Sequence, residues 1–247
     1  MRIALFADVH ANLQALEACL AHAAGAGADR HVFLGDHVGY GGDPEAVVET
    51  LKDLVGRGAI AVLGNHDAAV AGELRQQMTG DAKTAIEWTR GRLDGGQREF
   101  LSSLPLSVEE EGRFYAHANG WAPADWEYVL GTREAERSLR ATRSRLSAFG
   151  HIHRPMLYHR AETGLTQAFE PIPGAPVPLS ATRRWLLLPG SAGQPRDGNP
   201  AACYAVLDET RKVVTFHRVP YDAESAARRI RDVGLPESLA LRLEMGL

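Results

Sequence analysis

The chain has 247 residues, 45% of them hydrophobic, with 27 Lys and Arg against 31 Asp and Glu and a formal net charge of -4 at pH 7. This weak and mixed charge argues against the basic surface with which proteins bind nucleic acids or anionic membranes, so neither is expected as a partner. The two cysteines, Cys19 and Cys203, are far apart in the sequence, and we expect both to be small buried thiols in a reduced compartment.

The N-terminal segment is predicted to be a strand rather than a targeting signal. Residues 2–7, RIALFA, form a short apolar run that Asp8 and His10 interrupt, so the run lacks the apolar core of a signal peptide. No stretch of the sequence is as apolar and as long as a membrane span. We therefore expect a cytoplasmic protein.

Strand and helix patterns alternate along the first part of the chain. Strands are predicted at residues 2–7, 31–36 and 59–65, and helices at residues 12–28 and 43–58. This order is typical of parallel βαβ units. Helical patterns then dominate up to residue 103, including DAKTAIEWTRGRL and GQREFLSSL.

The second part of the chain is rich in short strands. A hairpin is predicted at residues 106–118, with its turn near Gly112, and further strands follow until an amphipathic helical tail begins at residue 222. The Pro-rich stretch at residues 170–184 is interpreted as a surface loop or an edge excursion, because strand patterns continue on both sides of it. One domain is therefore expected to span residues 1–247.

Polar side chains cluster at or just after the ends of the predicted strands. They occur in DVH (residues 8–10), GD (35–36), GNHD (64–67) and GHIH (150–153), and at His117. Because the carboxyl ends of parallel strands meet at one edge of a sheet, we expect these side chains to converge. Carboxylate and amide oxygens mixed with imidazoles suit Mn, Fe, Zn or Co, and the absence of a thiolate argues against a structural zinc site.

The number of these side chains predicts two metal ions rather than one. In DVH and HIH, side chains at positions i and i+2 share a face of extended backbone, so both members of each pair can reach one centre. Two ions that share Asp36 would use all the groups. Ions roughly 3.5–4 Å apart can clamp the oxygens of a transferring phosphoryl group and lower the pKa of a bridging water. Taken singly, GNHD could instead be a turn with a helix cap.

The ordered motifs resemble the signature of the calcineurin-like metallophosphoesterase superfamily, which is D-x-H, G-D, G-N-H-D/E, H and G-H-x-H. GDHVGYGGDP (residues 35–44), PGSAGQPRDGNP (189–200) and the tail from residue 219 are similar to its small single-domain bacterial and archaeal phosphodiesterase branch. The resemblance covers nearly the whole chain. It implies an α/β fold, a four-layer αββα sandwich of two mixed sheets flanked by helices, with the metal site at the carboxyl ends of strands.

The resemblance also implies roles for single residues. One metal would be held by Asp8, His10, Asp36 and His153, and the other by Asp36, Asn65, His117 and His151. His66 would stay off the metals and face the substrate as general acid or phosphate donor. Asp67 would accompany it in the catalytic group, orient it or a neighbouring ligand, or cap the helix.

The chain departs from the branch pattern at three positions. Ala11 and Ala118 stand where Gly is common, and His37 stands where an apolar residue is usual. The small-for-small changes should leave metal binding intact. His37 is expected to be a packed or surface histidine, with a role near the ligands or the substrate as the alternative.

Three further residues are candidate substrate contacts. Asn12 could bond to a metal-bound phosphate oxygen or cap a helix, and Tyr40 could stack on a substrate base or anchor its loop. Arg196 could bind phosphate bidentately, or pair with Asp197 or a neighbouring acid.

The sequence therefore predicts a dinuclear metal-dependent phosphoesterase that hydrolyses a small phosphodiester or nucleotide through a metal-bridging hydroxide. Its cofactors would be two divalent ions among Mn, Fe, Zn, Ni and Co, with Mn favoured. A phosphomonoesterase, or a nucleotide or protein phosphatase, on the same site is the first alternative. A non-catalytic metal-binding scaffold is the second, which the complete set of ligands disfavours. Edge strands after Leu106 would allow a homodimer.

Overall fold

Two mixed six-stranded sheets lie face to face in the computed structural model, which describes residues 1–72, 78, 80–161 and 164–247. The first sheet has the spatial order β3 (Ile60–Ala61), β2 (Arg30–Phe33), β1 (Arg2–Phe6), β11 (Ala202–Asp208), β12 (Val213–Val219) and β9 (Pro176–Pro178). The second has the order β4 (Ser107–Glu110), β5 (Arg113–Ala116), β6 (Leu146–Ala148), β10 (Arg183–Pro189), β7 (Pro155–Ala161) and β8 (Thr166–Phe169).

The core between the sheets follows from the alternation of side chains along each strand. In β1, Ile3 and Leu5 join a cluster with Tyr115 of the second sheet, whereas Ala4 and Phe6 face the helices on the other side. A strand that is buried on both faces has an uninterrupted apolar sequence, as residues 2–7 do. The first three strands are parallel, with Phe6 beside Phe33 in the register.

Helices cover the outer faces of both sheets, as the sandwich prediction requires. They are α1 (Leu13–Gly25), α2 (Pro44–Gly56), α3 (Asn65–Ala71), α4 (Gly80–Arg92), α5 (Gly95–Ser103), α6 (Thr132–Ala141), α7 (Ala223–Asp232) and α8 (Glu237–Met245). The first sheet is covered by α1 and α2, and the second by α6. The predicted four-layer αββα fold is confirmed. Among the described residues, no helix has the length and apolar character needed to cross a membrane.

Most predicted elements are present, and the differences have local causes. Helix α6 was not predicted, because it is strongly charged and buries only Ala135, Ser138 and Leu139, so its apolar face, although well separated from the charged one, is too small to stand out in the sequence. The Pro-rich stretch is an edge excursion, since Pro176–Pro178 pairs with β12 at the rim of the first sheet, where a missing N–H is tolerated.

Residues 73–77 and 79, within the predicted helical part, lie outside the described residues. Cys19 and Cys203 are buried free thiols, as expected.

Candidate metal centre

The predicted ligands converge at one end of the sandwich, where strands of both sheets end. The backbone N–H of His10 donates to the carbonyl of Asp36 (2.9 Å), which joins the loops after β1 and β2. The carboxylate of Asp8 accepts from the backbone N–H of His151, with both oxygens at 3.0 Å. Because His151 follows β6 of the second sheet, this bond connects the two sheets directly beneath the site.

Each of four histidines has one ring nitrogen tied to a backbone carbonyl. Three use Nδ1: His10 on Val38 (3.2 Å), His117 on Leu34 (2.8 Å) and His153 on Gln194 (2.6 Å). The ring of His151 is reversed, with Nε2 on the carbonyl of Trp126 (2.9 Å). A nitrogen that faces a carbonyl must carry the proton, so the opposite nitrogen of each ring is directed at the cluster as a ligand.

One pair of rings shows that the site suits a cation. Nε2 of His10 and Nε2 of His153 lie 3.1 Å apart. Burial, more than any neighbouring charge, holds the pKa of both rings well below its ordinary value. Both rings are neutral and use their single proton, on Nδ1, in the bond to a carbonyl. Their two Nε2 atoms therefore face each other with lone pairs, which is unfavourable unless a cation lies between them. Asp8 completes this group, with Oδ1 3.6 Å from Nε2 of His153.

A second group of possible ligands, formed by Asp36, His117 and His151, attracts positive charge. Asp36 Oδ2 lies 3.3 Å from Nε2 of His117. Burial disfavours a charged ring, but Asp36 outweighs it and raises the pKa of His117 to about 9. The proton on His117 therefore occupies a place that a metal would take, since a ligating imidazole must be deprotonated. The neighbouring ring of His151 is held neutral, because burial and His117 lower its pKa to about 3.

Asp36 lies between the two groups. Its Oδ2 is 3.7 Å from Nε2 of His10 in the first group, and it belongs to the second group with His117 and His151. Asn65 joins the second group, since its Oδ1 lies 3.0 Å from Nε2 of His117. The structure thus brings together all seven predicted ligands, and their oxygen and imidazole donors fit divalent transition metals.

His66 borders both groups, and one of its ring nitrogens lies within 4.8 Å of ligand atoms of His10 and Asp36, although the family resemblance leaves it off the metals. Its backbone N–H donates to Asp36 Oδ1 (2.8 Å), and its ring centroid is 4.8 Å from that of His10 and 4.5 Å from that of Tyr40. Its Nδ1 is buried, with no hydrogen-bond partner among the described residues. Because a buried ring nitrogen without a partner is costly, this atom is a candidate contact for a bound oxygen.

Asp67 supports the site from behind. Its Oδ1 accepts from the backbone N–H of His37 (2.9 Å) and Val38 (3.2 Å), and its Oδ2 from that of Gly64 (2.9 Å). These bonds fix the turn after Asp36 against the start of α3. They favour the supporting role that the sequence left open for Asp67, and a catalytic role stays a prediction. His37 is packed rather than exposed, with Nε2 3.0 Å from the carbonyl of Val62.

Asn12 caps a helix. Its Oδ1 accepts from the backbone N–H of Ala15 (3.1 Å) at the start of α1. Its amide donates to the carbonyl of Gly193 (2.7 Å) and the hydroxyl of Tyr221 (3.1 Å). A contact to substrate phosphate stays a prediction, and it would require the amide to leave one of these partners.

Arg196 and Tyr40 lie together at the open side of the site. The guanidinium carbon of Arg196 is 5.6 Å from the ring centroid of Tyr40, and one of its N–H groups donates to Gln194 Oε1 (2.9 Å). The expected alternative of an ion pair with Asp197 is wrong, because Asp197 pairs with Arg218 across the loop. Tyr40 has a positive φ of 64°, an unusual conformation for a non-glycine residue.

Two features of the site were missed from the sequence. The ring of Tyr128 stacks on the ring of His151, with centroids 4.0 Å apart and planes 7° apart, and Tyr128 is 46% exposed. It comes from an irregular loop before α6, where no periodicity or motif marks it. Several predicted ligands also have left-handed backbone, a strain that is common at functional sites. These are Asp8, His10, Asp36, His151 and His153, with φ between 48° and 73°.

The four-layer fold, with carboxylate and imidazole ligands gathered at the strand ends, is the arrangement of the metallophosphoesterases. Residues 1–212 match the calcineurin-like phosphoesterase superfamily domain, and the chain belongs to this superfamily. It is therefore a member of a class of hydrolases that act on phosphoesters with divalent metals.

Similar proteins come from both bacteria and archaea. The chain is 35% identical over 249 residues to the uncharacterized protein MJ0912 of Methanocaldococcus jannaschii, covering 99% of this chain and 98% of that protein. A crystal structure of a metallophosphoesterase from Sphaerobacter thermophilus is 36% identical, with a TM-score of 0.87 over 100% of this chain and 99% of that one. The hypothetical protein PH1004 from Pyrococcus horikoshii OT3, 22% identical, shares the fold with a TM-score of 0.80 over 100% and 98% of the two chains.

Proposed function

We propose that the protein is a dinuclear metal-dependent phosphodiesterase that acts on a small phosphodiester or nucleotide. The observation that carries the proposal is the position of Asp36 between two ligand groups, one with His10 and one with His117. A carboxylate shared in this way suits two cations. When bound, divalent cations supply a nucleophile at neutral pH and neutralise charge on the transferring phosphoryl group.

The protein's own residues supply orientation and a hydrogen-bond donor. Burial lowers the pKa of His66, and it outweighs the opposing effect of Asp36 and Asp67. A neutral His66 ring has one N–H to offer. We infer that it donates a hydrogen bond to a phosphate or leaving-group oxygen, a role that raises rates when the donor is already in place. Asp67 positions the turn through its backbone bonds.

The preference for diesters is supported by the similarity of GDHVGYGGDP and PGSAGQPRDGNP to the phosphodiesterase branch. A phosphomonoesterase on the same site is the second candidate, because Arg196 adds a positive charge beside Tyr40 that would suit a doubly charged phosphate.

The experiment that tests the proposal compares bis-p-nitrophenyl phosphate with p-nitrophenyl phosphate. We expect diester turnover with added Mn²⁺ that is lost with chelator and recovered when Mn²⁺ is restored. In His66→Ala the turnover should fall at least about 100-fold, the usual loss for one preorganised hydrogen-bond donor. His159→Ala is the matched control, since His159 lies in β7 beside Trp185, away from the site. Preference for the monoester would favour the phosphatase, and no turnover of either compound in metal-loaded protein would contradict both.

A methyl group at Gly39 should disable His66 without touching a metal ligand. Gly39 has a φ of 86°, and an added Cβ would lie 2.5 Å from Nδ1 of His66. We expect Gly39→Ala to displace the ring and reduce kcat for the diester by about 100-fold, as loss of a positioned donor does. Metal content, measured by mass spectrometry, should stay at the wild-type value.

The control for this variant is Gly58→Ala. Gly58 has a similar φ of 98° but nothing within 4 Å of an added Cβ. It therefore shares the cost of about 1 kcal/mol or more for left-handed backbone and lacks the contact with His66. Equal losses of kcat in the two variants would show that backbone strain, rather than displacement of His66, causes the effect.

A further inference from the structure

Two arginines lie against the same aromatic ring beside the metal centre. The guanidinium carbon of Arg196 is 5.6 Å from the ring centroid of Tyr40, and that of Arg242 is 5.9 Å from it. Both arginines are half-buried, and Tyr40 is buried. A guanidinium within about 6 Å of a tyrosine ring is held there by a favourable cation–π contact.

The ring of Tyr40 also contacts the site itself. Its centroid is 4.5 Å from that of His66 and 4.6 Å from that of His10. Tyr40 is therefore in contact both with two histidines of the site and with both guanidinium groups. Through this one ring, the two arginines lie beside the predicted metal centre.

The C-terminal helices hold Arg242 in this place. Tyr40 joins an apolar cluster with α7 and α8, including Ile230 and Leu239. Arg229 of α7 pairs with Asp43 (2.7 Å), which fixes the helices to the loop of Tyr40. The carbonyl of Gly246 accepts from the backbone N–H of Gly198 (2.9 Å), which fixes them to the loop of Arg196.

Arg242 lies outside the part of the chain that matches the superfamily domain, which ends at residue 212. The group of two arginines therefore combines a residue of the matched region with one from the tail.

The charges of the two arginines are not balanced by acids. Neither has an ion-pair partner within residues 1–72, 78, 80–161 and 164–247, whereas the neighbouring arginines of α7 do. Arg228, for example, pairs with Glu224 (3.0 Å). Two like charges on one ring repel each other, and an anion that binds both removes this repulsion.

We propose that Arg196 and Arg242 form a second phosphate subsite, so that the substrate carries a further phosphate beside the one that reacts at the metal centre. The proposal rests on the phosphodiesterase function above and specifies its substrate class, nucleotides or other esters with two neighbouring phosphates. Tyr40 acts as the support that fixes both guanidinium groups.

The test is the binding of two nucleotides that differ by one phosphate. Metal-loaded protein is titrated with adenosine 5′-monophosphate and adenosine 5′-diphosphate by calorimetry. We expect the wild type to bind the diphosphate more tightly, and Arg242→Gln to reduce the ratio of the two affinities about 10-fold, the effect of one lost charged hydrogen bond. Arg242→Lys keeps the charge without the bidentate geometry and should lie between the two.

Arg228→Gln is the matched control, since Arg228 belongs to the same helical pair but faces Glu224 on the surface. It should keep the wild-type ratio. Comparing variants at one metal concentration cancels the chelation of free metal by the diphosphate. An unchanged ratio in Arg242→Gln, or an equal decrease in Arg228→Gln, would overturn the subsite.

Turnover of bis-p-nitrophenyl phosphate by the same wild-type preparation separates this proposal from the proposed function. If the diester is hydrolysed and the ratio does not respond to Arg242, the subsite alone is refuted. If the diester is not hydrolysed but the ratio falls in Arg242→Gln, the subsite stands as a binding site and the hydrolytic function fails. The melting temperature of each variant shows whether it is folded.

Discussion

Asp36→Asn is expected to abolish the metal-dependent activity and to reduce the metal content of the protein. Asp36 is 1% exposed, and its Oδ2 faces His117 at 3.3 Å and His10 at 3.7 Å. Asparagine has the same shape but no charge, and its amide nitrogen cannot ligate a cation. In the proposed dinuclear centre, the loss of this shared anion would remove electrostatic stabilisation from both metal positions at once.

We expect kcat for bis-p-nitrophenyl phosphate to fall at least about 1,000-fold in this variant, the upper range for loss of one preorganised electrostatic group. After dialysis, the metal content should fall from two ions per chain to one or fewer. Asp53→Asn is a suitable control, because Asp53 makes an exposed ion pair with Arg57 on α2. A variant at Asp36 that retains two metals and wild-type turnover would refute the shared position of this carboxylate.

The convergence of the predicted ligands could be foreseen from the sequence because their positions follow from simple rules. Asp8 and His10 are two residues apart after an apolar strand, and the parallel order of the first three strands places Asp36 and Asn65 beside them. His117 and His151 come from the second sheet. These two histidines reach the first group only because the two sheets face each other. The order of the motifs indicated this packing only through the family resemblance.

The substrate side of the site could not be predicted in the same way. The sequence leaves two alternatives for Arg196, a phosphate contact or an ion pair with Asp197 or a neighbouring acid, and in the structure the carboxylate of Asp197 turns to Arg218 while Arg196 lies beside Tyr40. Nothing in the sequence brings Arg242 to the same ring, because that contact depends on how α8 packs. Side chains adjacent in sequence often point in opposite directions, so adjacency alone is weak evidence for an ion pair.

The left-handed backbone of the ligands was also beyond prediction. Ala11, which stands where glycine is common in related sequences, has a φ of 52° between His10 and Asn12. Conformations of this kind persist only where surrounding bonds fix them. Here the backbone N–H of Ala11 donates to the carbonyl of His37 (2.9 Å), a contact between loops that are distant in sequence.

Metal binding is expected to release protons and to stabilise the fold more as pH rises from about 7 to about 8.5. Burial raises the pKa of Asp8 to about 7, and Asp36 raises that of His117 to about 9 against the opposing effect of burial. Both values lie above those of the unfolded chain, but Asp8 loses its extra proton near pH 7, so His117 holds nearly all of the extra proton above that pH. In this window the metal-free native state therefore binds more protons than the unfolded state.

The sign of the effect follows directly. A native state that holds extra protons loses stability as pH rises, by about 1.4 kcal/mol per pH unit for each proton. The metal-free protein should therefore melt at lower temperature between pH 7 and the pKa of His117, which is about 9. A bound metal replaces these protons, so the metal-loaded protein does not share this loss. The histidines with lowered pKa, such as His151, are neutral in both states here and contribute nothing.

The measurement is the difference in melting temperature between Mn²⁺-loaded and chelator-treated protein across this pH range, together with calorimetric titration in two buffers of different ionisation enthalpy. We expect the difference to grow with pH and the binding heat to depend on the buffer, which reports the released protons. Asp36→Asn provides the control, because without this carboxylate His117 has lost the charge that raises its pKa. Its metal-free melting temperature should decrease less over the same range. A difference that stays constant with pH would show that His117 is deprotonated before the metal binds.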